Sequence, residues 1–168
     1  MTTDVSADRQ SQVTSGVRFL TMSWPSLEAS VRIRLLTEEA PTISNAVWDA
    51  LPFDTVQGHA LITGQMMFAT SPVLLLVREN VHIFTEMGIG ACFYATASQN
   101  IGLIYGDVTE PEGHSIWGQI DEQDWPTLRS VGRRVWQNLL ARFGDPRLDP
   151  LAKRTIVVHV ERAESITT

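Results

Sequence analysis

Between Val56 and Ile120 the chain breaks into short runs rich in β-branched and aromatic residues: Val56 to Ile62, Gln65 to Thr70, Val73 to Val77, Ala91 to Ala95, Ile101 to Tyr105 and Ser115 to Ile120. Gly, Pro, Asn or Ser separates them. Segments this short, punctuated this regularly, predict strands of a sandwich or closed barrel. Two more stretches precede them. Val17 to Trp24 alternates until Pro25-Ser26 interrupts it, and Glu28 to Leu36 then places Ala29, Val31, Ile33 and Leu35 on one face. That pattern predicts a hairpin.

Helical spacing occurs twice. Ile43, Val47, Ala50 and Leu51 share one face of a short segment that starts at Pro41, whose missing N–H needs no partner in a first turn, and stops at Pro52. A longer segment has Asp124 as N-cap and Pro126 in its first turn. Trp125, Leu128, Val131, Val135, Leu139 and Phe143 then recur at threes and fours until Gly144. After the Asp145-Pro146 and Pro150 loop, Thr155 to Val160 predicts a last strand. A last strand that pairs with the first removes the exposed sheet edges. The expected fold is therefore mainly β, a closed barrel with one short and one long helix plugging its ends, with an open sandwich as the alternative.

The 168 residues, 43% of them hydrophobic, suffice for one domain burying roughly 70% of the surface its unfolded chain would expose. Residues 17–163 are expected to form it. Residues 1–16, rich in Thr, Ser, Asp and Gln without an apolar core, are expected to be a flexible tail and not a signal peptide. A net charge of -6, from 13 Lys+Arg against 19 Asp+Glu, argues against nucleic acid and anionic membranes as partners, because both are bound through clustered cations. Arg133-Arg134 and Lys153-Arg154 are short pairs, expected on a solvated helix face and at a strand entrance. No window approaches the ~20 apolar residues of a membrane span. The single cysteine, Cys92, cannot form an internal disulfide and sits in a strand-like run, where it is expected to be an inert small hydrophobe. A soluble cytoplasmic protein is the expectation.

Catalytic and cofactor fingerprints are largely excluded. His59, His82, His114 and His159 form no H-x-H or H-E-x-x-H pair, which also weakens a cupin reading, and no metal is expected. Gly88-x-Gly90 lacks a third glycine and a following helix, so no dinucleotide is expected. No nucleophile elbow and no phosphate-binding loop occurs, and no cofactor of any kind is implied. The acidic groups Glu38-Glu39 and Asp121-Glu122-Asp124 flank helix starts, where they favour the helix dipole. One histidine stands apart. His59 shares a predicted strand hairpin with Gln65, so an imidazole and an amide could offer a ligand both donors and acceptors.

Three segments resemble a known family. Pro41 to Pro52 looks like a short helix ending in an Ala-Leu-Pro turn; His59-Ala60 with Thr63-Gly64-Gln65-Met66 looks like a paired-strand motif; Glu86 to Tyr94 followed by Ile101 to Gly106 looks like a glycine turn, strand, loop and strand ending Tyr-Gly. Together they resemble the bacterial cyclophilin-like barrel proteins, a group of largely unassigned function, over about Val17 to Glu161. Gly88-Ile89-Gly90 departs from it, since relatives commonly carry an acidic residue there. The resemblance implies a cyclophilin-like barrel. Against the cyclophilin pattern Phe-His-Arg-x-Ile-x-Gly-Phe-Met, Ala60 occupies the arginine position, and no arginine lies between Arg34 and Arg78. Cyclophilins use that arginine to donate to the imide nitrogen. Efficient prolyl isomerisation is therefore not expected, and residual activity would need Arg78 or another donor in the cleft.

Three functional readings follow. The first is a cleft for a small organic molecule or short peptide, lined by His59, Gln65, Met66, Phe68, Tyr94, Tyr105 and Trp117, whose aromatic members bring apolar bodies and, for Tyr and Trp, polar handles. The second is a feeble prolyl isomerase or an acid–base enzyme using His59. The third is a homo-oligomeric interaction domain with Trp24, Trp48, Trp125 or Trp136 at a subunit contact.

Overall fold

The computed structural model describes residues 17–144 and 155–164. The expected tail, the Asp145-Pro146 and Pro150 loop and the Lys153-Arg154 pair lie outside the described residues. The described residues form nine strands: β1 (Phe19–Trp24), β2 (Ala29–Leu35), β3 (Phe53–His59), β4 (Gly64–Thr70), β5 (Val81–Ile83), β6 (Ala91–Ala95), β7 (Asn100–Val108), β8 (Gly113–Ile120) and β9 (Val157–Arg162). Helix α1 (Pro41–Asp49) follows β2, and α2 (Trp125–Gly144) precedes β9.

Every strand pairing is antiparallel. Strand order runs β2-β1-β9-β3-β4-β7-β6-β8, and β8 returns to β2, so eight strands close a barrel. Strand β5 is an addition along the first half of β8. The alternation in the sequence becomes an inside and an outside. Leu20, Met22 and Trp24 of β1, Val31, Ile33 and Leu35 of β2, and Trp117 of β8 are buried in one core cluster that also takes Ile43 and Val47 of α1 and Leu128, Val131 and Val135 of α2. A smaller cluster joins Met66, Ile104 and Phe93 to Phe84 and Met87.

One lateral row shows how residue size sets the spacing of the strands. Gly58 of β3 faces Phe68 of β4, Phe68 faces Gly102 of β7, and Gly102 faces Phe93 of β6. Each ring lies over a glycine: a Cβ on Gly58 would sit 2.8 Å from the Phe68 ring, and one on Gly102 would overlap the Phe93 ring. Alternating large and small residues lets rings cover backbone that a side chain would otherwise crowd.

Departures from the sequence-based expectation include strand β5, which no run anticipates, and the end of β3 at His59 rather than Ile62. The run Val73 to Val77 belongs to no strand. Its backbone is held by a side chain instead: the Leu75 N–H donates to Tyr94 Oη at 3.1 Å, and Tyr94 Oη donates to the Val73 carbonyl at 2.8 Å. A phenol thus fills the place where a neighbouring strand would bond. Acidic groups near the helix starts also make bonds that the sequence does not mark. Glu79, from beyond that run, accepts the Ile43 N–H in the first turn of α1 at 2.7 Å, and the Asp124 carboxylate accepts the Arg32 N–H of β2 at 2.9 Å. An acidic group at a helix start still meets unpaired N–H donors, but from a distant part of the chain.

Replacing Gly102 by Ala should destabilise the protein by about 1–3 kcal/mol, because a well-packed ring must move. Urea unfolding measures it, and a loss near zero would contradict the packing described.

Candidate functional site

Strand β3 ends on His59, whose side chain points inward, as does that of Gln57, and both are buried. Ala60 to Thr63 turn the chain, and Gly64 enters β4 with φ of 104°, a left-handed backbone suited to glycine. An irregularity between Gly64 and Met66 leaves Gln65 out of the β4–β7 ladder. Its side chain lies over Gly106, where any Cβ would collide with it, and Gln65 Oε1 accepts the Asp107 N–H at 3.2 Å. Strand β7 supplies Tyr105, and helix α2 covers it closely, since a Cβ on Gly132 would lie 2.5 Å from the Tyr105 ring. One turn further along α2, the Trp136 ring sits 4.8 Å from His59, centroid to centroid.

These elements border an open cavity of about 300 Å³ lined by His59, Leu61, Ile62, Gln65, Tyr105 and Trp136, with Ala60, Gly64 and Thr109. Its hydrogen bonds have a definite direction. His59 Nδ1 lies 2.6 Å from the Ala60 carbonyl and His59 Nε2 lies 2.7 Å from Tyr105 Oη. A carbonyl only accepts, so Nδ1 carries the proton. Burial lowers the His59 pKa below the usual imidazole value, partly offset by the bond to Ala60, which keeps the ring neutral. Nε2 is then a lone pair, and Tyr105 donates to it. Burial likewise raises the Tyr105 pKa, with the charge of Arg133 pulling it back down. The pair is a neutral acceptor and a neutral donor rather than an ion pair.

Of the residues picked out in the sequence, His59, Gln65 and Tyr105 meet at this cavity. Met66 points the other way, into the smaller cluster, and Phe68 covers Gly58. Trp117 is wholly enclosed in the main core, with its indole nitrogen unpartnered among the described residues. Tyr94 borders a second cavity of about 370 Å³, at the other end of the β6–β7 pair, together with Arg78 and His114. Arg78 donates to the Gly113 carbonyl there at 2.7 Å and is not among the residues lining the His59 cavity. Ala60, at the arginine position of the cyclophilin pattern, contributes its backbone carbonyl.

Leu61, Ile62, Thr109 and Trp136 complete the lining. Trp136 had a signal: it follows Val135, just off the apolar stripe of α2, where a large aromatic has no core position to fill. Leu61 and Ile62, placed in a strand run by their composition, instead sit in the turn, 64% and 80% exposed. The remaining histidines have separate partners. His159 bonds Asp54 at 2.6 Å across the β3–β9 pairing and lies 3.4 Å from Glu161, His82 bonds Asn80, and His114 stacks on Phe84 and lies 3.4 Å from Glu112. Cys92 is fully buried, which pushes its thiol pKa far up and makes it a poor nucleophile. Among the described residues no group of three His, Cys, Asp or Glu side chains is placed to hold a metal, and no helix is long and apolar enough to cross a membrane.

Comparisons with known proteins add the fold. No family model matches the chain, and no curated protein matches it. Among solved structures, McbB in complex with tryptophan superimposes with a TM-score of 0.73 at 24% identity, over 89% of this chain and 46% of McbB. The chain thus spans about half of McbB. The hypothetical protein AF2241 from Archaeoglobus fulgidus superimposes with a TM-score of 0.58 at 19% identity, over 88% of this chain and 95% of its own length. At these identities the likeness is one of barrel fold.

The two best-placed histidines should titrate in opposite directions. His59 resists protonation in the folded state, so its contribution to stability is intact above the ordinary value of 6.5 and is lost as pH falls toward its lowered folded pKa. His159, raised chiefly by its bond to Asp54, contributes fully below 6.5 and loses that contribution as pH rises through its folded pKa. NMR titration of the imidazoles should place His59 below and His159 above the ordinary value; the reverse order would contradict the geometry.

Proposed function

We propose that this chain is a cyclophilin-like barrel whose mouth, beneath α2, binds a small organic molecule. The observation that carries the proposal is the directed pair of His59 and Tyr105 set in the wall of a mostly apolar cavity. Ligand sites are typically concave and mostly apolar, with a few oriented polar groups, and span about 300–1,000 Å³. At about 300 Å³ the cavity suits an amino-acid-sized molecule and offers a peptide room for little more than one side chain. Leu61, Ile62 and Trp136 supply the apolar wall; Tyr105, Gln65 and His59 supply the polar one. McbB, about half of which superimposes on this chain, was solved in complex with tryptophan, which supports the choice of an aromatic test ligand. Efficient prolyl isomerisation forms no part of the proposal, since the residue at the arginine position is Ala60.

Isothermal titration of the protein with tryptophan, indole, phenol and short aromatic acids tests it. Saturable binding of at least one of these is expected, weakened at least tenfold by Trp136→Ala and by His59→Ala, with circular dichroism showing that both variants stay folded. No binding by any compound, or binding indifferent to both substitutions, would overturn the proposal.

A further inference from the structure

The hydrogen-bond pattern of the cavity carries a preference for one ligand chemistry, an inference that rests on the binding site just proposed. Each polar group on the wall has part of its capacity already committed. His59 spends Nδ1–H on the Ala60 carbonyl and its Nε2 lone pair on Tyr105. Tyr105 spends its only proton on His59, so toward the cavity its oxygen can only accept. Thr109 Oγ1 donates to the Ile62 carbonyl at 3.3 Å and ties down the β3–β4 turn. Gln65 uses Oε1 on the Asp107 N–H, and no described residue takes its amide N–H groups. Tyr105 therefore offers an acceptor, and Gln65 offers a donor.

Charge enters from one side. No side chain lining the cavity carries a formal charge when His59 is neutral. Arg133 stands on α2 beside Gly132, which abuts Tyr105, and one turn before Trp136, which forms the wall. It is exposed and forms no ion pair with a described residue, and its charge lowers the Tyr105 pKa that burial raises. Arg134, its neighbour, is turned away and donates to the Leu27 carbonyl. An exposed guanidinium on the helix that walls a neutral, largely apolar cavity complements a carboxylate.

We infer that the site takes an aromatic carboxylic acid that carries an N–H or O–H donor on its ring, the donor reaching Tyr105 Oη, the ring lying against Trp136, Leu61 and Ile62, and the carboxylate facing Arg133 with help from the Gln65 amide. A donor is required because a ligand acceptor placed against Tyr105 would meet an oxygen whose proton is already given away. The penalty for a mismatched buried polar group exceeds the gain from a matched one, so this contact sets selectivity more than affinity.

Three probes separate the parts: indole-3-propionate, its 1-methyl derivative, which loses the N–H donor, and indole-3-propionamide, which loses the charge. With the full chain at pH 7.5, indole-3-propionate should bind at least tenfold more tightly than the 1-methyl compound and several-fold more tightly than the amide. Arg133→Gln, an exposed helix position, should equalise acid and amide while leaving the N-methyl penalty in place. Equal binding of the acid and its 1-methyl derivative, or an unchanged preference for acid over amide in Arg133→Gln, overturns the inference. If that binding still falls in Trp136→Ala, the site itself stands. Failure of indole-3-propionate where indole or phenol binds also overturns the inference alone; failure of every aromatic compound overturns the site with it.

Discussion

Three residue pairs close the barrel: Ile33 with Ile120, Arg34 with Gln119 and Leu35 with Gly118, between β2 and β8. The contact depends on a missing side chain, since a Cβ on Gly118 would lie 2.7 Å from the Ile33 side chain. With this seam made, β2 and β8 gain partners on edges that would otherwise be open, and the inward faces of all eight strands point into a common interior. Leu20, Ile33, Trp117 and Ile120 are then fully buried. Register is fixed by the same closure, because a slip of one residue would turn each strand's apolar set outward.

That fixed register explains how polar groups come to face inward near the mouth. Along β3 the inward positions are Gln57 and His59, both buried. Gln57 is satisfied inside: its Oε1 accepts the Trp24 indole N–H at 2.9 Å and its amide donates to the Phe68 carbonyl at 2.8 Å. His59, two residues further along, reaches the end of the strand, where it meets Tyr105 and the underside of α2. Gly132 lets the helix approach Tyr105, and Trp136 walls the space that this approach leaves. A buried polar pair is costly unless bonded, and here the bonding itself selects the tautomer and the direction of the phenol proton.

Much of this architecture was legible from residues alone. The β1–β2 hairpin, both helices, the run Ala91 to Ala95 and the closing strand after α2 follow from period and punctuation. Other features depended on long-range contacts. Val73 to Val77 has a strand's composition, but a strand is defined by its partner, and Tyr94 takes the partner's place. Glu79 caps a helix 36 residues away, which no local capping rule could reveal. The meeting of His59, Gln65 and Tyr105 was accessible because a hairpin places the first two together and the Tyr-Gly strand end supplies the third. Met66 and Phe68 lie beside them in sequence, yet the strand period and the irregularity after Gly64 send them elsewhere.

The proposed site is the mouth under α2 and not the second cavity, beside Arg78, Tyr94 and His114. Mapping of amide, side-chain amide and indole resonances during titration with indole-3-propionate tests it most directly. Shifts should concentrate on the Trp136 indole, the Gln65 side-chain amide and the backbone of Ala60 to Gly64, while His114 and the backbone of Arg78 at the second cavity stay still. Shifts centred on Arg78, Tyr94 and His114 would contradict the account and move the site to the opposite end of the β6–β7 pair.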